Sequence, residues 1–160
     1  MRILYFSEGY CVHDRRYLLK FAETEHEFCF LRLTDSGFPC DKFPPAKNIR
    51  MAGPLIHGHP SHEKMALAQA GLLKTIEEFR PDILHAGPAG TCGLMAARSE
   101  FHPFMLMSWG SDILRDAFRN GEARLSAAET LLESDHFVCD CDEVLKKARE
   151  LCPEIQTEHV

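Results

Sequence analysis

The sequence predicts an α/β fold, a doubly wound parallel sheet with helices on both faces. Three observations predict it. Strand-like and helix-like stretches alternate from end to end. The strand-like stretches are short apolar runs without polar alternation, the pattern of strands covered on both faces. Loops of small and polar residues follow these runs and lead into stretches with helical spacing, as in parallel strands joined by right-handed crossovers.

Arg2 to Phe6 is the first such run, and Ser7 to Asp14 the loop after it, with Gly9 as its flexible point. A helix is predicted from about Arg15 to Glu23, because Tyr17, Leu18, Phe21 and Ala22 share one face. Glu27 to Leu33 is rich in aromatic and apolar residues and reads as the second strand. Thr34 to Lys47 is loop, broken by Gly37, Pro39, Pro44 and Pro45. Ile49 to Met51 reads as a short third strand, and Gly53 to Pro60 as a loop rich in Gly, Pro and His.

Ser61 is a plausible cap for a long helix to Phe79, along which Met65, Ala68, Leu72, Ile76 and Phe79 form one apolar stripe. Arg80, Pro81 and Asp82 end it. Ile83 to Ala86 is a strand, and Gly87 to Gly93 turns into a short helix from Leu94 to Arg98. Phe104 to Met107 is the most clearly buried strand, and Ser108 to Asp112 leave it at once. Asn120 and Gly121 make a turn before a helix through Leu125, Ala128 and Leu132 that ends near Ser134. His136 to Cys139 is the next strand. Asp140 and Glu143 have the spacing of a capping box before the apolar face of Val144, Ala148 and Leu151. Pro153 stops that helix, and Gln156 to Val160 reads as the start of one more strand, the pattern of a domain cut from a longer protein.

The chain has 160 residues, enough for one domain with a sizeable core. Its formal net charge is -6. That argues against a nucleic-acid partner, whose backbone needs clustered Lys and Arg. No apolar run approaches the length of a membrane span. The N-terminus is too quickly polar for a signal peptide, which predicts a cytoplasmic setting. The seven cysteines, Cys11, Cys29, Cys40, Cys92, Cys139, Cys141 and Cys152, are scattered and odd in number. Most read as small core residues rather than a disulfide frame.

Four kinds of chemistry are open to these residues. The dinucleotide fingerprint is missing after the first strand. Gly87, Gly90 and Gly93 give G-x-x-G-x-x-G, whose spacing matches neither that fingerprint nor the P-loop. Backbone N–H groups of such a turn could face an anion, but a tight turn with close strand–helix packing accounts for it as well. Cys92 lies between strand and helix with His85 nearby. A nucleophile elbow requires Gly two places to either side, and Gly93 is one place short, so a buried small residue is the plainer reading. His57, His59 and His62 crowd one loop, and Cys139 and Cys141 sit elsewhere, without any standard zinc spacing. No metal site is therefore predicted.

The fourth is a polar cleft along the carboxyl ends of the strands, where open parallel sheets bind ligands. It would draw Gly9, Tyr10 and His13 from the first loop, His85 and Gly87 from a middle strand, Trp109, Gly110, Ser111 and Asp112 from another, and Asp140 from the last. Trp109 offers a flat face for a sugar ring, and Asp112 and the hydroxyls can bind diols. His13 is the residue best suited to hold or move a proton near neutral pH. The bland alternatives are a surface histidine at the head of a helix, and Ser111 or Asp112 as a helix cap.

Three of these stretches resemble a known family. Arg80 to Ala86 (RPDILHA) resembles the "P-D-[IV]-[VL]-H-[AV]" strand of the N-terminal domain of glycosyltransferase family 4 (group 1). Ser108 to Ile113 (SWGSDI) resembles its "H-G-[ST]-D" segment, with Trp109 in place of the usual His. Ser134 to Asp140 (SDHFVCD) is similar to its "A-D-x-[VI]-[VI]-x-x-S" strand, before the amphipathic helix from Glu143 to Ala148. Their order and spacing match over nearly the whole chain.

The resemblance implies the GT-B architecture, two Rossmann-like domains with the active site between them. Residues 1–160 would be the N-terminal, acceptor-side domain. The C-terminal nucleotide-sugar domain would be absent from this chain. It implies a retaining, metal-independent transferase whose donor substrate is a nucleotide-sugar, with no cofactor and with an acceptor hydroxyl as the second substrate. Many relatives act on lipid-linked acceptors at membranes, but nothing basic in this sequence supports membrane association. With Glu8-Gly9-Tyr10 where the family often has a Gly-Gly pair, and Trp109 where it has His, the role of that His does not carry over. His13 is the candidate to replace it. The runner-up reading is a stand-alone, non-catalytic, flavodoxin-like binding or signalling module.

Overall fold

The computed structural model describes residues 1–35, 46, 48–58 and 61–155. The elements run β1 (Arg2–Ser7), α1 (Val12–Phe21), β2 (Glu27–Arg32), β3 (Ile49–Ala52), α2 (His62–Phe79), β4 (Ile83–Ala86), α3 (Leu94–Ala97), β5 (Phe104–Met107), α4 (Ser111–Leu114), α5 (Gly121–Glu133), β6 (His136–Val138) and α6 (Asp142–Leu151). They divide into two compact units, Met1–Ile83 and Leu84–Val160.

In the first unit the strand order is β3-β2-β1, and both pairings are parallel. Leu4, Tyr5 and Phe6 of β1 and Cys29, Phe30 and Leu31 of β2 are wholly buried. Each large apolar side chain so buried contributes about 1.5–3 kcal/mol. Tyr5 points to α1, with its ring 5.9 Å from Phe21 and 6.4 Å from Tyr17. Arg2, an odd number of residues away and so on the opposite face, lies over the ring of Phe79 in α2 at 4.7 Å. Helices thus cover both faces. Ser61 caps α2 by accepting from Lys64 N at 3.3 Å. Arg80, in the left-handed conformation (φ 49°), closes the helix with a bond to Ile76 O.

In the second unit the order is β4-β5-β6, again parallel. Leu84, Ala86 and Leu106 are wholly buried and Phe104 nearly so, as the unalternated runs require. The amino ends of β5 and β6 are tied by Asp135, whose carboxylate accepts from Phe104 N at 2.6 Å and meets His102 Nδ1 at 2.7 Å. Asn120 caps α5 through Ala123 N at 2.8 Å.

Parallel strands alternating with covering helices make this a Rossmann-like α/β fold, as the sequence predicted. Four local details differ. First, α1 begins at Val12 rather than Arg15, because the Asp14 carboxylate accepts from Cys11 N at 2.8 Å and holds the first turn. Second, the Gly87 to Gly93 stretch contains a π-helical turn, Ala89–Gly93, before α3. Third, α5 buries Ala127, Thr130 and Leu131, leaving Leu125 and Leu132 exposed. Fourth, the capping box expected of Asp140 and Glu143 does not form, since α6 starts one residue later with Cys141 as its cap. The loop breakers Gly37, Pro39, Pro44 and Pro45, His59 of the histidine loop, and the strand expected from Gln156 lie outside the described residues.

Candidate functional site

The second unit builds a candidate site from the loops after β4 and β5. Where β4 ends, Gly87 presses against its neighbour: a Cβ there would fall 2.1 Å from Met107 O, so only glycine lets the two backbones approach. Gly93 is less tight, with a Cβ there 2.7 Å from the Leu106 side chain and 3.1 Å from Pro88 O, whereas Gly90 has open space. The spacing of three glycines therefore reflects strand and helix packing at its two ends.

Asp112 ties these loops together. Its Oδ1 accepts from Ser108 Oγ at 2.7 Å and from Trp109 N at 3.0 Å, and its Oδ2 accepts from Ala89 N at 2.8 Å. Ser108 Oγ accepts in turn from Gly110 N at 2.9 Å. Gly110 has φ 82°, which an L side chain resists. Asp112 and Ser108 are buried, Trp109 is half-buried and Ser111 is exposed. Ser108 N donates to Val138 O at 3.0 Å, at the end of β6; Asp140, two residues on, is exposed. His85 is buried on β4, and burial pulls its imidazole down to about 4, so it is neutral at physiological pH. The structure therefore gathers Gly87, Trp109, Gly110, Ser111 and Asp112 into one braced loop pair. His85 lies in the strand beneath, and Asp140 stands apart on the surface.

In the first unit, Gly9 and Tyr10 are buried, with the Tyr10 ring 5.9 Å from that of Phe30, and His13 is exposed on the first turn of α1. Asp14 is buried and accepts from Tyr5 Oη at 2.8 Å as well as from Cys11 N. Burial, with that carboxylate beside it, pushes the Tyr5 phenol well above its ordinary range. Burial and Asp14 likewise push the Cys11 thiol up to about 11. Cys92 is wholly buried. Neither thiol is set up as a nucleophile. Among the described residues, no three His, Cys, Asp or Glu side chains cluster to hold a metal ion.

One pair escaped the sequence reading. The imidazole of His57 meets Asp35 Oδ2 at 2.6 Å through Nδ1, and Asp35 Oδ1 accepts from Gly58 N at 3.2 Å. Asp35 had been one polar residue in a loop, and His57 one of several histidines. Their meeting depends on the parallel bridge between Thr34 and Ile56, which local sequence does not encode.

No curated protein matches the chain in sequence. Among solved structures, the chain is similar to a UDP-GlcNAc 2-epimerase from Methanocaldococcus jannaschii, with a TM-score of 0.62 and 14% identity. The match covers 94% of this chain but 42% of that one, so the chain spans less than half of the neighbour's length. At this identity the likeness speaks to the fold alone. In sequence, the family model described as "Glycosyl transferase 4-like" matches residues 2–136, through β1 and the loops of the candidate site to the start of β6. The chain belongs to the glycosyl transferase 4-like family.

Proposed function

We propose that this chain is the N-terminal, acceptor-side domain of a GT-B glycosyltransferase that moves a sugar from a nucleotide-sugar to an acceptor hydroxyl. The family match over residues 2–136 carries this reading. In the same reading the reaction retains anomeric configuration, uses neither metal ion nor cofactor, and takes place in the cytoplasm. The donor is held mainly by a second, C-terminal domain. The structural neighbour's name makes UDP-GlcNAc a sensible first donor to assay.

The residues of the loop pair divide the work by their chemistry. The half-buried Trp109 offers an apolar face to a sugar, the exposed Ser111 a hydroxyl, and the buried Gly110 the turn between them. Asp112, with three acceptor positions already filled, acts by holding this loop in shape. Gly87 allows the strand ends to close up. His85, Tyr10, Gly9 and Asp140 belong to the same acceptor-side reading as supporting or rim residues. His13, exposed on α1, is the candidate to hold or share a proton with the acceptor.

The test is turnover by the protein as its cells make it. Release of nucleoside diphosphate from UDP-GlcNAc or another nucleotide-sugar, dependent on an added acceptor, supports the reading. A protein that turns over no nucleotide-sugar and instead retains a flavin on purification contradicts it.

A further inference from the structure

We propose that His57, oriented by Asp35, is a hydroxyl-binding residue of the first unit, and that its ligand class is the sugar or polyol hydroxyl of the acceptor. The inference rests on the transferase reading above and adds a residue to it.

Placement is the first support. Strand pairing in this unit runs past the ends of β1 and β2. Leu33 N donates to Ser7 O at 2.9 Å, and Thr34 N to Glu8 O at 2.8 Å. On the other side Leu55 N donates to Arg32 O at 3.1 Å, and Ile56 N to Leu33 O at 2.7 Å. This ladder carries Asp35 and His57 to the carboxyl side of the strands, the side on which parallel sheets bind ligands.

Geometry is the second support. The ring is fixed at Nδ1 by Asp35, and its loop is fixed twice more, by Gly58 N on Asp35 Oδ1 and by Lys64 Nζ on His57 O at 2.8 Å. The bond from His57, and after it that from Gly58 N, hold the Asp35 carboxyl below its usual range, so it is ionised near neutrality. In the neutral imidazole, a carboxylate at Nδ1 selects the Nδ1–H tautomer and leaves the lone pair on Nε2. The side chain is 78% exposed. An exposed pair of this kind contributes little to stability. What it supplies is an oriented acceptor for an O–H group.

The experiment is long-range ¹H–¹⁵N NMR of the histidine rings in this chain, titrated with methyl α-D-glucopyranoside as the probe. His57 should show the Nδ1–H tautomer, and its Nε2 resonance should move on titration. Loss of one hydrogen bond in His57→Ala should raise the dissociation constant about three- to tenfold. His57→Gln, which keeps an acceptor oxygen, should stay within about twofold. Asp35→Ala should shift the tautomer balance and weaken binding while the backbone amide spectrum elsewhere is unchanged. An Nε2–H tautomer, an unmoved Nε2 resonance at saturating probe, or a His57→Ala variant with unaltered affinity would each overturn the proposal. Failure of the transferase reading itself shows separately, as absence of nucleotide-sugar turnover by the protein made in its cells.

Discussion

Asp112 accepts three hydrogen bonds from the loops after β4 and β5. Its removal leaves Ala89 N and Trp109 N without their acceptor, while the Ser108 hydroxyl can rotate to another. A buried donor so stranded, as Ala89 N is, costs about 1–3 kcal/mol, and the half-buried Trp109 N less. Asp112→Ala should therefore lower the unfolding free energy by about 3 kcal/mol in urea denaturation; a loss below about 1 kcal/mol would mean that the loops do not depend on this brace. His85 makes a pH prediction. Its folded pKa, about 4, lies below the ordinary 6.5, so between these values the unfolded chain binds the extra proton. Stability is then full above about pH 6.5 and declines as pH falls toward 4, by at most about 3 kcal/mol. Denaturation curves from pH 7.5 to 4.5 should show this slope, and His85→Gln should flatten it. An equal slope in both proteins would refute the assignment. At this scale the sequence shows residue types well and partners poorly. Asp112 read as either a cap or a diol binder, and only the approach of Ala89 N reveals it as a brace between loops.

The elements were legible where one local signal decided them. The Ser61 cap and the apolar stripe set α2, and the unalternated run set β5, with the bounds predicted. Legibility failed where an unrecognised local cap moved an end or tertiary packing turned a face. Asp14 draws the start of α1 back to Val12 through Cys11 N. In α5 the spacing of Leu125, Ala128 and Leu132 marked the helix but not its inward face, and packing selected Ala127, Thr130 and Leu131, with the Thr130 hydroxyl donating to Ala89 O at 3.1 Å. The glycine triplet after β4 gives the sharpest prediction for an element. Gly87→Ala would force apart β4 and β5, because its Cβ meets backbone oxygen that cannot swing away. A loss of about 2–4 kcal/mol or failure to fold is expected. Gly90→Ala, with open space around it, should change stability by less than about 0.5 kcal/mol. Thermal denaturation of the two variants checks this, and similar melting temperatures would remove the packing explanation.

For the whole molecule, the family was legible because three segments recur in order; the family match over residues 2–136 takes in the first two and only the start of the third. The candidate site was legible in part. Trp109 to Asp112 could be read as loop residues beyond a buried strand; in the first unit the Asp35–His57 pair could not be read at all, since the two residues meet only through the register of Thr34 and Ile56. The chain spans 42% of the structure to which it is similar. In the proposed function it supplies the acceptor side of a transferase and not the whole catalyst. The most direct measurement is sugar transfer from nucleotide-sugars, with residues 1–160 assayed beside the protein as its cells make it. Acceptor-dependent transfer is expected from the latter and none from residues 1–160 alone. Transfer by the isolated 160 residues, or no nucleotide-sugar turnover by either protein, would contradict the proposal.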